Sequence, residues 1–154
     1  MTEIVTLRLG REGDADAIRA LTREAYAKWV EVIGREPLPM QVDYADALRR
    51  HRFDLLYVGE RLAALIETVP QADFLLIENV AVLPTYQGRG FGRRLLDLAE
   101  ELAATSHCAC VRLYTNKLFA ENVRLYEARG YSVEREEDFK GGVVVHMTKP
   151  LAPR

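Results

Sequence analysis

The chain has no apolar run approaching the roughly 18 residues of a membrane-spanning helix. Its opening Met-Thr-Glu-Ile-Val carries neither the charged nor the hydrophobic region of a signal peptide. A cytoplasmic protein with no membrane partner is expected. Net charge is nearly absent too, with 21 Lys and Arg against 23 Asp and Glu for a formal −2, so no basic field gathers nucleic acid. No Gly-Lys is followed by Ser or Thr, which removes a Walker A loop. No Gly-x-Ser-x-Gly elbow occurs, and His51, His107 and His146 lie in no nucleophile motif, so a covalent serine or cysteine mechanism has no support. The two cysteines fall together in His107-Cys108-Ala109-Cys110, with no second ligand pair at the usual offsets. Reduced, buried thiols are expected there, with no metal and no disulfide. There is no internal repeat and no low-complexity segment.

What is present is a chain of 154 residues, 49% hydrophobic, which is enough for one full core and short of two. A single domain over residues 1–154 is expected. Ile4 to Leu9 alternates with the β period, and Gly10 to Asp14 supplies a turn and a helix cap. Ile18, Leu21, Ala25 and Trp29 then recur at helical spacing until Gly34, Pro37 and Pro39. A second helix is expected from Val42 to about Arg50, followed by a hairpin of Asp54 to Val58 and Leu62 to Val69 around Gly59-Glu60. Phe74 to Val82 reads as a strand, and Phe91, Leu95, Leu98, Ala99 and Leu102 mark one face of the helix after it. Val111 to Thr115 is the next strand and Glu121 to Arg129 a short helix stopped by Gly130. Tyr131 to Phe139 and Val143 to Thr148 form a closing hairpin around Gly141-Gly142. The order β-α-α-β-β-β-α-β-α-β-β implies an α/β domain with a mixed sheet and one right-handed β-α-β crossover.

Leu83 to Arg94, at that crossover, is a phosphate cradle by composition. Gly88, Gly90 and Gly92 leave the backbone free to approach an anion, and the helix starting near Phe91 adds its positive end. Arg89, Arg93 and Arg94 bring guanidinium groups that grip phosphate oxygens. A diphosphate suits this equipment. A dinucleotide fingerprint is excluded, because Arg93 stands where its third glycine belongs, and Arg112 where an acidic residue would follow roughly 20 positions on. The pattern is Gln-x-x-Gly-x-Gly at Gln87, Gly90 and Gly92, after Glu78-Asn79-Val80-Ala81-Val82 and Pro84.

This run resembles the coenzyme A loop of the GNAT family of N-acetyltransferases. A second segment, Thr115-Asn116 through Asn122, Leu125-Tyr126 and Gly130-Tyr131, is similar to the Asn…Leu-Tyr…Gly-Phe/Tyr segment of the same enzymes. Together with the element order, the likeness covers nearly the whole chain. It implies a GNAT fold of α+β type, with about seven strands, helices on both faces and a splayed parallel strand pair at the cofactor site. It further implies that Val80, Ala81 and Val82 pair their backbone with pantetheine, one N–H there binding the thioester oxygen, while Gln87, Gly88, Arg89, Gly90, Phe91, Gly92 and Arg93 hold the pyrophosphate.

At the position of Tyr126 the family has a tyrosine proposed to protonate the departing thiolate, which a phenol of pKa about 10 can do. The alternative for Tyr126 is a core aromatic. Asn122, four residues earlier on the same helical face, competes with Asn116 for the pantetheine arm. Glu78, two residues before Val80, is the candidate base for the attacking amine, and its alternative is a structural strand carboxylate.

The irregular segment from Trp29 to Tyr44 is the expected source of acceptor specificity. Trp29, Met40 and Tyr44 offer apolar surface there, and Glu31, Glu36 and Asp43 offer partners for a cationic amine; a connector packing its own aromatics is the competing reading. The expected activity is acetyl transfer from acetyl-CoA to a primary amine of a small molecule, peptide or protein, by direct attack in a ternary complex. The rival is a non-catalytic acyl-CoA-binding or sensing domain. A homodimer formed by the closing strands is a further possibility.

Overall fold

A computed structural model describes residues 3–152. Its elements are β1 (Val5–Leu9), α1 (Ala15–Ile33), α2 (Tyr44–Arg50), β2 (Arg52–Val58), β3 (Arg61–Pro70), β4 (Phe74–Val82), α3 (Phe91–Thr105), β5 (Cys110–Asn116), α4 (Ala120–Ala128), β6 (Ser132–Phe139) and β7 (Gly142–Pro150). Single-turn helices at Glu12–Asp14, Leu38–Met40 and Pro84–Tyr86 punctuate the connections. The seven strands follow the order β1-β2-β3-β4-β5-β7-β6. Neighbours are antiparallel at β1/β2, β2/β3, β5/β7 and β6/β7, and parallel at β4/β5. The chain groups into two compact units, one of residues 1–68 and 79–98 and the other of residues 69–78 and 99–154.

In the first unit the helical periodicity of α1 buries Ile18, Leu21, Ala25 and Trp29, as their spacing requires. Ile18, Leu21 and Ala25 join Tyr44, Ala47, Phe53, Leu55, Leu65, Ala81 and Leu83 in one apolar cluster. The helix start differs from expectation. Asp14 occupies the cap position of α1, but its carboxylate makes no capping bond to that helix. It takes two bonds from Arg8, at 2.7 and 2.9 Å, and one from the Arg11 amide at 2.8 Å. With the Arg8 guanidinium and the Arg11 amide on its two oxygens, the carboxylate serves those donors rather than the first amides of α1. α2 starts two residues later than expected, at Tyr44, because Asp43 accepts from the Asp46 amide at 3.2 Å and so becomes the cap.

In the second unit the β-period alternation on β5 and β7 buries Val111, Leu113, Val145 and Met147. The β4/β5 ladder runs from Phe74↔Cys110 to Ile77↔Leu113. β7 lies against β5, which leaves β6 at the end of the sheet order. Residues 132–138 of β6 are all exposed, and four of them are acidic. Charges along an outer strand disfavour its pairing with another chain. Cys108 is buried, Cys110 half-buried, and both are free thiols. Among the described residues no group of His, Cys, Asp and Glu is placed to hold a metal, and no helix is long and apolar enough to cross a membrane.

Candidate active site

The glycine loop is built at the end of β4. Leu83 donates its amide to the Ala63 carbonyl at 2.9 Å, and Pro84–Tyr86 makes one helical turn, with the Tyr86 amide on the Leu83 carbonyl at 2.9 Å. The Gln87 side chain folds back to donate to the Val82 carbonyl at 3.2 Å, bracing the loop onto the strand. Gly88 and Gly90 follow with φ of 81° and 83°, a left-handed backbone that side-chain-bearing residues adopt at a cost. A Cβ on either would meet nothing within 4 Å, so the backbone there faces open space. At Gly92 a Cβ would touch only Val82, at 3.7 Å.

α3 then begins, with the Arg94 amide on the Gly90 carbonyl at 3.0 Å. A helix leaves its first amides without intrahelical acceptors, and the first turn of α3 contains no acidic residue to take them. The glycine loop and the positive helix end together meet the requirements of an anion site. Arg89 lies 5.0 Å over the Tyr86 ring and donates to Glu3 at 3.2 Å, while Arg93 and Arg94 are exposed. Phe91 packs on the same tyrosine, centroid to centroid at 6.2 Å. On the strand, Ala81 is buried and Val80 and Val82 half-buried.

Glu78 and Asn79 point apart, as alternation requires. Asn79 is buried and accepts from the Tyr26 hydroxyl at 2.8 Å. Glu78, half-buried, accepts from the Tyr114 hydroxyl on β5 at 2.5 Å through Oε1. Tyr114 is a residue that sequence reasoning missed, being legible only as part of the strand from Val111 to Thr115. Its position one past Leu113 puts it on the opposite face of β5, but finding its partner needed the β4/β5 register.

Tyr126, on α4, is 7% exposed and stands edge-on to Tyr131 with centroids 5.9 Å apart. Burial pushes its phenol up to about 12. The proton therefore stays on oxygen throughout the neutral range, as a hydrogen-bond donor needs. Asn116 closes the turn after β5: its Oδ1 accepts from the Leu118 amide at 2.9 Å and its carbonyl from the Phe119 amide at 2.9 Å. Asn122 is half-buried in the first turn of α4, one helical turn before Tyr126.

The three apolar residues expected at the acceptor site are core residues instead. Trp29, Met40 and Tyr44 are 8, 6 and 4% exposed. Tyr44 donates to the Pro39 carbonyl at 2.6 Å and meets Phe53 edge-on. Of the acidic partners, Glu36 pairs with Arg23 at 2.6 Å and Asp43 caps α2, while Glu31 is exposed. The segment packs its own aromatics. His51 is bonded to Glu67 at 2.6 Å and His146 to Glu137 at 3.0 Å.

Comparison with known proteins gives the same assignment as the motifs. The family described as acetyltransferase (GNAT) family matches residues 16–131. An uncharacterized N-acetyltransferase of Shouchella clausii (strain KSM-K16) is 29% identical over 113 residues, covering 64% of this chain and 68% of that protein. Among solved structures, the PaiA N-acetyltransferase from Thermoplasma acidophilum in complex with coenzyme A superposes with a TM-score of 0.81 at 18% identity, covering 96% of this chain and 99% of that one. The ribosomal-protein-S18-alanine N-acetyltransferase from Escherichia coli gives 0.79 at 20% identity, covering 98% and 96%. With the family model spanning both the glycine loop and Tyr126, the chain belongs to the acetyltransferase (GNAT) family, the acetyl-CoA-dependent N-acetyltransferases that its two motifs resemble.

Proposed function

We propose that this protein moves the acetyl group of acetyl-CoA directly onto a primary amine of a small molecule or a peptide. The observation that carries this reading is the left-handed backbone of Gly88 and Gly90, open where a side chain would stand, at the N-terminus of a helix with no acidic residue in its first turn. The amides of Gly88 to Arg93 would hold the diphosphate, with Arg93 and Arg94 adding positive charge. Val80 to Val82 would offer backbone groups to the pantetheine amides. Bound acetyl-CoA supplies an electrophilic thioester carbon and a thiolate leaving group.

The residues of the chain handle the protons. Glu78 accepts one proton from the ammonium form of the acceptor, directly or through water, and becomes a carboxylic acid. The freed nitrogen lone pair forms the new N–C bond as the C–S bond breaks, and the sulfur keeps that electron pair. Tyr126 donates its hydroxyl hydrogen to the sulfur; the second proton, lost from the nitrogen as the amide forms, returns through water to the phenolate, and the proton on Glu78 passes to solvent. Asn122 is the better candidate for the pantetheine arm, since Asn116 already closes a turn with its Oδ1. Acceptor choice is proposed to lie with the exposed side of the Trp29–Tyr44 segment, where Glu31 stands free of the core.

The test is acceptor-dependent release of thiol from acetyl-CoA across polyamines, amino acids, aminoglycosides and peptide N-termini. Release stimulated by one amine class supports the reading. Tight CoA binding without release by any amine overturns it in favour of a sensing domain.

A further inference from the structure

Beyond Ile77↔Leu113 the next residues of the two parallel strands, Glu78 and Tyr114, meet through their side chains. The phenol hydroxyl donates to Oε1 at 2.5 Å, a separation typical of a strong bond to an ionised acceptor. Tyr114 is itself held. Its direct partner on β7 is His146, and the two rings lie 5.9 Å apart at 39°. His146 Nε2 lies 3.0 Å from Glu137 Oε1 on β6. A row of polar side chains, Glu78, Tyr114, His146 and Glu137, thus crosses β4, β5, β7 and β6, while the opposite face carries the buried Ile77, Leu113, Val145 and Met147.

A carboxylate on a flexible stem loses rotamer freedom when it is fixed. A core made only of apolar side chains gains nothing from fixing one. A proton acceptor gains directly, because transfer requires one oxygen to stand within hydrogen-bond reach of the donor. We propose that Tyr114 is the positioning residue of Glu78: it anchors Oε1 and leaves Oε2 aimed and available to take the acceptor's proton, and His146 sets the plane of the Tyr114 ring. The inference rests on the reading of Glu78 as the base. Arg112 lies on the same face of β5, but at 4.7 Å over the Phe74 ring and 3.4 Å from Glu134 it is engaged elsewhere.

Two measurements test it. In the proton NMR spectrum of the unliganded protein, the Tyr114 hydroxyl gives a far-downfield, slowly exchanging resonance that disappears in both Tyr114→Phe and Glu78→Gln; its absence from the unsubstituted protein overturns the pairing. In steady-state kinetics with the amine that releases thiol fastest, Tyr114→Phe lowers kcat about tenfold and leaves the acetyl-CoA dissociation constant unchanged. In a Glu78→Gln background the same substitution costs nothing further, because its effect passes through the carboxylate. An equal loss in both backgrounds overturns the inference while leaving Glu78 as base. A Glu78→Gln variant that turns over at the full rate overturns the base assignment itself, and the positioning role with it.

Discussion

The hydroxyl of Tyr26, on α1, donates to Oδ1 of Asn79 at 2.8 Å and ties the helix to β4 one residue after Glu78. Both groups lie in the first unit, where Asn79 is buried and its Nδ2 has no hydrogen-bond partner. Tyr26→Phe leaves that buried oxygen without its donor, which is expected to cost about 1–3 kcal/mol. Urea unfolding checks this: the midpoint falls with an unchanged slope.

Gly90 has a left-handed backbone with open space where a Cβ would stand. Gly90→Val strains that backbone by roughly 1–2 kcal/mol, a modest loss for an exposed loop. The same side chain fills the proposed anion cradle, and CoA affinity falls tenfold or more, at about 1.4 kcal/mol per decade. Calorimetric titration with CoA on the folded variant reads the effect, and unchanged affinity removes the loop from the cofactor site.

Tyr126 carries both a stability and an activity prediction. Its phenol, ordinarily at 10.0, is pushed up to about 12 by burial. Folding therefore favours the protonated form, so the contribution is present in full below pH 10 and is lost as the pH rises through 12. Two units at 1.36 kcal/mol each make this roughly 2–3 kcal/mol, absent from Tyr126→Phe. Unfolding free energies measured from pH 9 to 12 should fall more steeply for the unsubstituted protein. At neutral pH the same variant lowers kcat more than it changes acetyl-CoA affinity, which steady-state kinetics separates.

Glu100, on α3, is shared by two cations, with Arg129 Nη2 and Lys149 Nζ each 2.7 Å away. All three side chains are 16–24% exposed, so the pairs are only partly screened. Glu100→Gln removes the carboxylate that these two partly buried cations share. The loss should be about 2–3 kcal/mol, somewhat below that of a fully buried pair. Thermal unfolding measures it, and activity per folded molecule stays unchanged.

The parts of this protein legible in its sequence are those set by local rules. β4 was bounded at Phe74 and Val82 by apolar and β-branched content, and the loop after it by glycines that only a left-handed turn needs. The face of α1 followed from spacing alone. What escaped depended on partners distant in the chain. Alternation shows that Tyr114 and Leu113 face opposite ways, but the ladder that sets Tyr114 beside Glu78 joins residues 36 positions apart. Asp14 is the exception: its competitor, Arg8, is only six residues back on β1, but spacing alone does not show that the turn between them brings the two together. Met40 and Tyr44 read as surface because an irregular segment has no period from which burial can be inferred, whereas the helical spacing of Trp29 already put it on the buried face of α1; the structure places all three inside.

The measurement that bears most directly on direct acetyl transfer is a single-turnover quench, with acetyl-CoA bound to excess protein and the selected amine added. Acetylated amine and free CoA thiol should appear at one common rate, slowed in Tyr126→Phe and Glu78→Gln, with the mass of the protein unchanged throughout. An acetylated protein formed before the product, or bound acetyl-CoA that no amine discharges, would contradict the account.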